Sequence, residues 1–147
     1  NYLSTIPRRG KFLSLVGNVA PRSNAAPTFV YDGNDSGAPI MALGAAGSRR
    51  ITSSVMQVIA NTLVHGLSIG RAVDAPRIHG TLSGKAYVER RVATEEMVRR
   101  LGGSFHVVEV KAARSYSMGG VQAIAREACG GWSASADPRR EGTSSGL

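Results

Sequence analysis

Residues 42–66 read ALGAAGSRRITSSVMQVIANTLVHG, and the pattern in this stretch decides the fold. Five residues with almost no side chain, Gly44-Ala45-Ala46-Gly47-Ser48, separate an apolar run from two arginines and a long amphipathic segment. From Arg50 to His65 the apolar residues Ile51, Val55, Val58, Ile59 and Leu63 recur at helical spacing, and Gly66 supplies a stop. Upstream, Pro39-Ile40-Met41-Ala42-Leu43 is apolar almost continuously, which predicts a strand covered on both faces. A strand therefore hands over to a helix through a corner of minimal side chains. Two readings of that corner stand. A tight turn needs room; alternatively, small side chains let backbone N–H groups come close to something negative.

Working outward, Thr28-Phe29-Val30-Tyr31 reads as a strand, and Asp32 to Gly37 as the long loop of a hairpin. Ser68 is placed to cap a second short helix through Ala72 and Val73, ended by Pro76. Tyr87-Val88-Glu89 is a short strand. Thr94, followed by Glu95 and Glu96, caps a third helix that closes at Gly102-Gly103. Ser104 to Val110 and Val121 to Arg126 read as two further strands. The expected architecture is α+β, with helices packed on an antiparallel sheet. Residues 1–26 form an irregular segment, 27–129 the α+β core, and 130–147 a polar tail rich in glycine and serine.

Composition narrows the function classes. A chain of 147 residues with 42% hydrophobic residues buries a core of one domain's size and is not disordered. The single cysteine, Cys129, excludes an internal disulfide framework and a Cys-rich metal site. No apolar run approaches the length of a membrane span. The formal charge of +8 raises nucleic-acid binding, but the arginines come as scattered pairs: 8–9, 49–50, 90–91, 99–100 and 139–140. Aromatic residues make up only 5%, so no basic and aromatic interleaving suited to base stacking is present. The charge reads as a solvated surface, or as arginines facing a more acidic chain. His65, with Asn61, flanks a helix end; His79 follows an Ala-Pro-Arg-Ile run; His106 lies in a strand pattern. The three are not at metal-ligand spacing, and no metal or cofactor is expected. Met41, Met56 and Met118 read as core, and Asp137-Pro138-Arg139 as a turn with an ion pair that fixes the chain end.

Four blocks, in order, carry more. PRSNAAPTFV (21–30), LGAAGSRRITSSVMQVIANTLVHGLSIGRAVDAPRIHG (43–80), MGGVQAIA (118–125) and ADPRREGTSSGL (136–147) closely resemble the small subunit of γ-glutamyltranspeptidases, also called glutathione hydrolases. The resemblance runs from about Pro21 to the last residue. It implies an N-terminal-nucleophile hydrolase, an αββα sandwich whose precursor cuts itself. The new N-terminal threonine then attacks a γ-glutamyl amide, its own α-amine serving as base. This chain starts at Asn1 and not at that threonine. It therefore reads as the C-terminal portion of a small subunit, inactive alone. Its implied partners are the upstream part of that subunit, the large subunit and a γ-glutamyl substrate, with no nucleic acid and no cofactor.

The resemblance also implies roles for particular residues. Aligned on Gly47-Ser48-Arg49, the family's oxyanion-hole glycine pair falls on Ala46 and Gly47, so their N–H groups would stabilise the tetrahedral intermediate. Ala46 departs from the family's first glycine. Ser23-Asn24 stands where the family's serine pair binds the substrate α-carboxylate, and Asn24 offers an amide donor in place of the second hydroxyl. Ser48, the nearest hydroxyl to the corner, has no evident base. The alternatives are an acylase-type relative acting on another amide and a noncatalytic assembly homologue. The cellular address is open; the family points to the periplasm or the extracellular space.

Overall fold

The computed structural model describes residues 10, 18, 23–33 and 37–146. Most of the segment read as irregular (1–9, 11–17 and 19–22) and the tip of the hairpin loop (34–36) lie outside the described residues. The elements follow the order β1 (Thr28–Val30), β2 (Met41–Ala46), α1 (Ile51–Leu63), α2 (Ile69–Asp74), β3 (Ile78–Gly80), β4 (Lys85–Glu89), α3 (Glu95–Gly102), β5 (Val107–Lys111), β6 (Gly120–Arg126) and β7 (Trp132–Ser135). Short 3-10 turns precede α1 at Ser48–Arg50 and β6 at Tyr116–Met118. The class is α+β, as the sequence predicts.

Two sheets share the helices. The larger has the order β1-β2-β6-β7 and is antiparallel throughout. The smaller, β3-β4-β5, pairs β3 with β4 antiparallel but β4 with β5 parallel, and α3 makes the crossover that a parallel pair requires. The larger sheet is the antiparallel one expected from the sequence, and the parallel β4–β5 pair is an addition to it. Thr94 does cap α3: its Oγ1 accepts from Met97 N–H at 3.1 Å, with acids in the first turn and arginines in the last. Ser68 precedes α2 without a side-chain cap bond.

The core lies between α1, α2 and one face of the larger sheet. Ile51, Val55 and Val58 of α1 and Ile69, Ala72 and Val73 of α2 meet Met41, Leu43, Val121, Ala123 and Ala125. Among the described residues the cover on β2 is that of the core face. The opposite face presents the cross-strand row Phe29, Ala42, Ile124 and Ala134, with Phe29 61% exposed. Met56 is also corrected: at 61% exposed it sits on the outer face of α1, off the Ile51–Val55–Val58 stripe. Met41 and Met118 are core, as expected.

The polar edge of α1 holds the smaller sheet. Ser53 and Gln57 lie four residues apart on one helix face. Gln57 donates from Nε2 to the Ile78 carbonyl (2.8 Å) and accepts the Ile78 N–H at Oε1 (3.0 Å). The Ser53 hydroxyl lies 2.8 Å from His79 Nδ1. A three-residue edge strand thus has its backbone satisfied by a helix side chain.

One buried ionic cluster joins α2, the start of β3, β4, the loop before β6, β6 and the chain after β7. Arg77 Nη2 lies 2.6 Å from Asp137 Oδ2, Arg139 Nη2 lies 2.5 Å from Glu89 Oε2, and Arg139 Nη1 lies 3.2 Å from Asp137 Oδ1. All four side chains are buried, and their formal charges cancel. Backbone groups fill most of its remaining positions, leaving Arg77 Nε buried without a partner. Val121 N–H donates to Asp137 (2.7 Å), Ser115 N–H and Arg77 N–H donate to Glu89 (2.8 and 3.0 Å), and Arg139 N–H donates to Asp137 (2.9 Å). The guanidiniums donate to the carbonyls of Val73, Ala75 and Gly119. Burial lowers the Arg77 pKa against the opposing pull of Asp137. At Arg139 burial also disfavours the charge, but the Glu89 hydrogen bond and charge overcome it and the pKa rises. Both remain charged near neutrality.

Asp137 has a further position of interest. Its register opposite Val121 continues the β6–β7 pairing just past the end of β7, and its carboxylate accepts the N–H that a strand carbonyl would otherwise take. The segment read as a polar tail therefore supplies a strand, β7, and half of the buried cluster. A second, exposed clamp joins α2 to the loop before β6. There the hydrogen bond from Arg114, and then that from Arg91, outweigh partial burial and hold Asp74 at a pKa of about 2.

Removing one partner of a buried pair leaves an uncompensated charge, which costs about 3–5 kcal/mol. Asp137→Ala should lower the urea midpoint by that equivalent with an unchanged slope. Asp74→Ala should have a clearly smaller effect. Equal losses in the two variants would mean that the buried cluster is not what holds the fold.

Candidate functional site

The small-residue corner at the end of β2 is where backbone, cleft and charge converge. Its first three small residues are not part of the turn. Gly44, Ala45 and Ala46 are strand, paired with Gln122, Val121 and Gly120. The hydrogen-bonded phase of the ladder follows from Arg126 N–H, which donates to the Ile40 carbonyl at 2.9 Å. Stepping by two from that pair makes Ala42, Gly44 and Ala46 the residues whose N–H groups aim at β6. The Ala46 N–H is thus directed to Gly120 and not into open space.

The turn begins one residue later. Gly47 has φ 148° and ψ 17°, and Ser48 has φ 54°, a left-handed value uncommon for a residue with a Cβ. Among the described residues no acceptor within the protein takes the N–H of either, while Arg50 N–H donates to the Gly47 carbonyl at 3.0 Å. The two free amides lie at the start of the helical segment that continues into α1, where the backbone dipoles favour negative charge.

A second glycine dictates the shape of the corner. A Cβ on Gly47 would lie 2.7 Å from the Gly119 Cα. Gly119 itself has φ 82°, and a Cβ there would lie 3.0 Å from Ser54 Oγ and 3.2 Å from the Ala46 carbonyl. Ser54, buried in α1, donates to the Met118 carbonyl at 2.9 Å, and Arg77 donates to the Gly119 carbonyl at 2.8 Å. The buried ionic cluster thus reaches the corner through one carbonyl.

The corner opens onto a cleft of about 540 Å³, lined by Asn24, Ala46, Gly47, Ser48, Arg50, Tyr116, Ser117 and Arg140 among others. Of the residues singled out in the sequence, Asn24, Ala46 and Gly47 come together here. Ser23 does not line the cleft; its exposed Oγ accepts from Ala25 N–H at 3.1 Å, which leaves the hydroxyl proton available to donate. No imidazole lines the cleft. His65 and His106 are exposed and His79 is buried in β3, its pKa lowered by burial and by the Arg50 charge. Its partner Ser53 also donates to the Arg50 carbonyl, so this Ser–His pair is a joint between α1 and β3 and not a presented nucleophile. Among the described residues no group of three His, Cys, Asp or Glu could hold a metal ion, and no helix is long and apolar enough to cross a membrane.

Tyr116, Ser117 and Arg140 escape sequence reasoning. Nothing in their spacing brings positions 116 and 140 beside residues 46–48; only the β2–β6 register does so. Arg77 and Glu89 escape for a similar reason, although the Asp137–Arg139 turn is legible in itself.

Known proteins resemble this chain. A family profile described as gamma-glutamyltranspeptidase matches residues 15–147. Scoloptoxin SSD20 from Scolopendra dehaani is 37% identical over 83 residues, covering 56% of this chain and 40% of its own length. The glutathione hydrolase proenzyme of Bacillus subtilis subsp. natto is 29% identical over 89 residues, covering 60% of this chain and 14% of its own length. This chain thus spans well under half of either relative. Among solved structures, gamma-glutamyltranspeptidase from Pseudomonas nitroreducens complexed with L-DON superposes with a TM-score of 0.75. It covers 92% of this chain and 68% of that one, at 24% sequence identity, and shows the same fold.

The interlocked glycines generate a direct expectation. Gly47→Ala puts a methyl group against the Gly119 backbone and holds an L-residue at φ 148°, a strain of about 1–3 kcal/mol or more. Thermal unfolding should register that loss, whereas Gly44→Ala, where an added Cβ meets nothing within 4 Å, should leave Tm nearly unchanged. Equal Tm values for the two variants would show that the corner is not held by this contact.

Proposed function

The chain belongs to the gamma-glutamyltranspeptidase family, and on that premise we propose that it is part of an enzyme that cleaves γ-glutamyl amides through a threonine lying outside this chain. The observation that carries the reading is the pair of unpartnered backbone amides, Gly47 and Ser48, opening into a cleft beside Asn24. Donors fixed by the surrounding backbone are what a tetrahedral intermediate needs, because they require no reorganisation as its charge develops. The family resemblance points to the Ala46 and Gly47 amides; of these the Ala46 N–H faces β6 in the ladder, and we take Gly47 with Ser48, whose N–H groups have no acceptor among the described residues, as the donor pair.

The chemistry then runs as follows. The threonine hydroxyl attacks the γ-carbonyl carbon, and its α-amine takes the proton. The carbonyl oxygen becomes the oxyanion held at Gly47 and Ser48. Collapse expels the amine as the proton is passed to it, leaving a γ-glutamyl ester that water or another amine resolves. Asn24, with Ser23 donating its hydroxyl proton, holds the α-carboxylate of the glutamyl group. The remainder of the small subunit and a large subunit from the same precursor complete the site. No cofactor or metal takes part in these steps.

The test is to produce the complete precursor, locate its cleavage site by mass spectrometry, and assay γ-glutamyl-p-nitroanilide. Cleavage before a threonine and turnover by the processed protein are expected, with none from residues 1–147 alone. Asn24→Ala should raise KM about ten- to a hundredfold, the equivalent of one hydrogen bond to a charged group. Active-site-titratable hydrolysis by the isolated chain, or a folded precursor that neither processes nor turns over, would refute the reading.

A further inference from the structure

Arg139 and Arg140 are neighbours in sequence with opposite fates. Arg139 is 3% exposed and saturated by the buried cluster. Arg140, whose N–H closes a turn onto the Asp137 carbonyl at 3.0 Å, points the other way and borders the cleft at the Gly47–Ser48 corner. Its guanidinium carbon lies 3.3 Å from the centroid of the Tyr116 ring, so the ring face orients the guanidinium while leaving its edge donors free. Among the described residues no carboxylate lies within ion-pair distance of it, and its buried Nε has no hydrogen-bond partner. Buried donors left unmatched within a protein call for an explanation. The chain also makes room for this side chain: a Cβ on Gly120 would lie 2.2 Å from the Arg140 Cγ.

These are the features of a site set for an anion that comes from outside the chain. We propose that Arg140 recognises a carboxylate on the leaving portion of the amide substrate. The inference rests on the amide-cleaving reading above. The glutamyl carboxylate is already assigned to Asn24 and Ser23, which precede β1 at one edge of the larger sheet, whereas Arg140 follows β7 at the other edge. The guanidinium offers two parallel N–H groups in the fork geometry that a carboxylate matches, and a lysine's point charge does not. Arg50 borders the same cleft with its own Nε buried and unpartnered, and adds to the positive field at that end. Substrates whose amine half carries a carboxylate, as peptides with a free C-terminus do, are thereby preferred over neutral amides.

The experiment uses the complete, processed protein and two anilides differing in one ring carboxylate: γ-glutamyl-p-nitroanilide and γ-glutamyl-3-carboxy-4-nitroanilide. In Arg140→Gln the ratio of kcat/KM for the carboxylated over the neutral anilide should fall about ten- to a hundredfold, the equivalent of a lost charge-assisted pair. Arg140→Lys should recover only part of it. An unchanged ratio, whether activity is retained or lost equally on both substrates, would overturn the assignment. A second readout needs no turnover. Glycylglycine titrated into the same protein should shift the Arg140 Nε–H resonance and the Gly47 and Ser48 amides, and Arg140→Gln should weaken that binding at least tenfold. Binding through Arg140 without hydrolysis of either anilide would refute the γ-glutamyl reading while sustaining the arginine's role. No perturbation at Arg140 would overturn the role itself.

Discussion

Four charges buried together, Arg77, Glu89, Asp137 and Arg139, are the constraint on which the rest of this chain depends. Each alone would be costly to take out of water, and an ion pair in the interior compensates only if its remaining donors and acceptors are filled. Here most are filled from the backbone, and the choice of backbone groups is informative. They come from the end of α2, the start of β3, the loop before β6, the first residues of β6 and the chain after β7. The cluster is therefore an agreement among five distant segments. It is satisfied only when all are in place, which makes its formation close to all-or-none.

The corner at Gly47 inherits its geometry from that agreement. Arg77 holds the Gly119 carbonyl, Gly119 lies where a Gly47 side chain would be, and Gly47 must then adopt a backbone that few other residues tolerate. The result is a pair of backbone amides left without an internal acceptor at the head of a helix, in a cleft with positive side chains nearby. Rigid framework and open donors arise from the same contacts. This is the physical meaning of preorganisation: the energy of placing the donors is met in folding and not at the moment of reaction.

Much of this is legible in the sequence, and the limits of legibility are physical. Helix α1 declares itself because its apolar period is long, and α3 because Thr94 and the acids behind it act locally. The corner is legible as a corner, since five small residues before Arg49 have few other uses. Its exact phase is not: whether Ala46 or Ser48 offers a free N–H depends on the register of β2 against β6, some 75 residues away in sequence. Strands β3 and β7 were hidden for different reasons. The first is three residues long and has its backbone satisfied by Gln57; the second lies in a stretch whose glycines and serines resemble a tail. Asp137 and Arg139 could be read as a turn, but their burial could not, because Arg77 and Glu89 lie far upstream in the sequence. Met56 shows the converse error, a hydrophobic residue on a solvent face for which period, not type, was the better guide.

The central claim is that the buried cluster is one cooperative unit that holds the corner, and native-state amide hydrogen exchange tests it most directly. The N–H groups of Ser115, Val121 and Arg139 each end on a buried carboxylate of the cluster. They should exchange only through global unfolding, with the same free energy as the central amides of α1. In Arg77→Met the three should lose protection together. Exchange of Ser115, Val121 or Arg139 through small local openings in the unaltered protein, while α1 stays protected, would contradict the account.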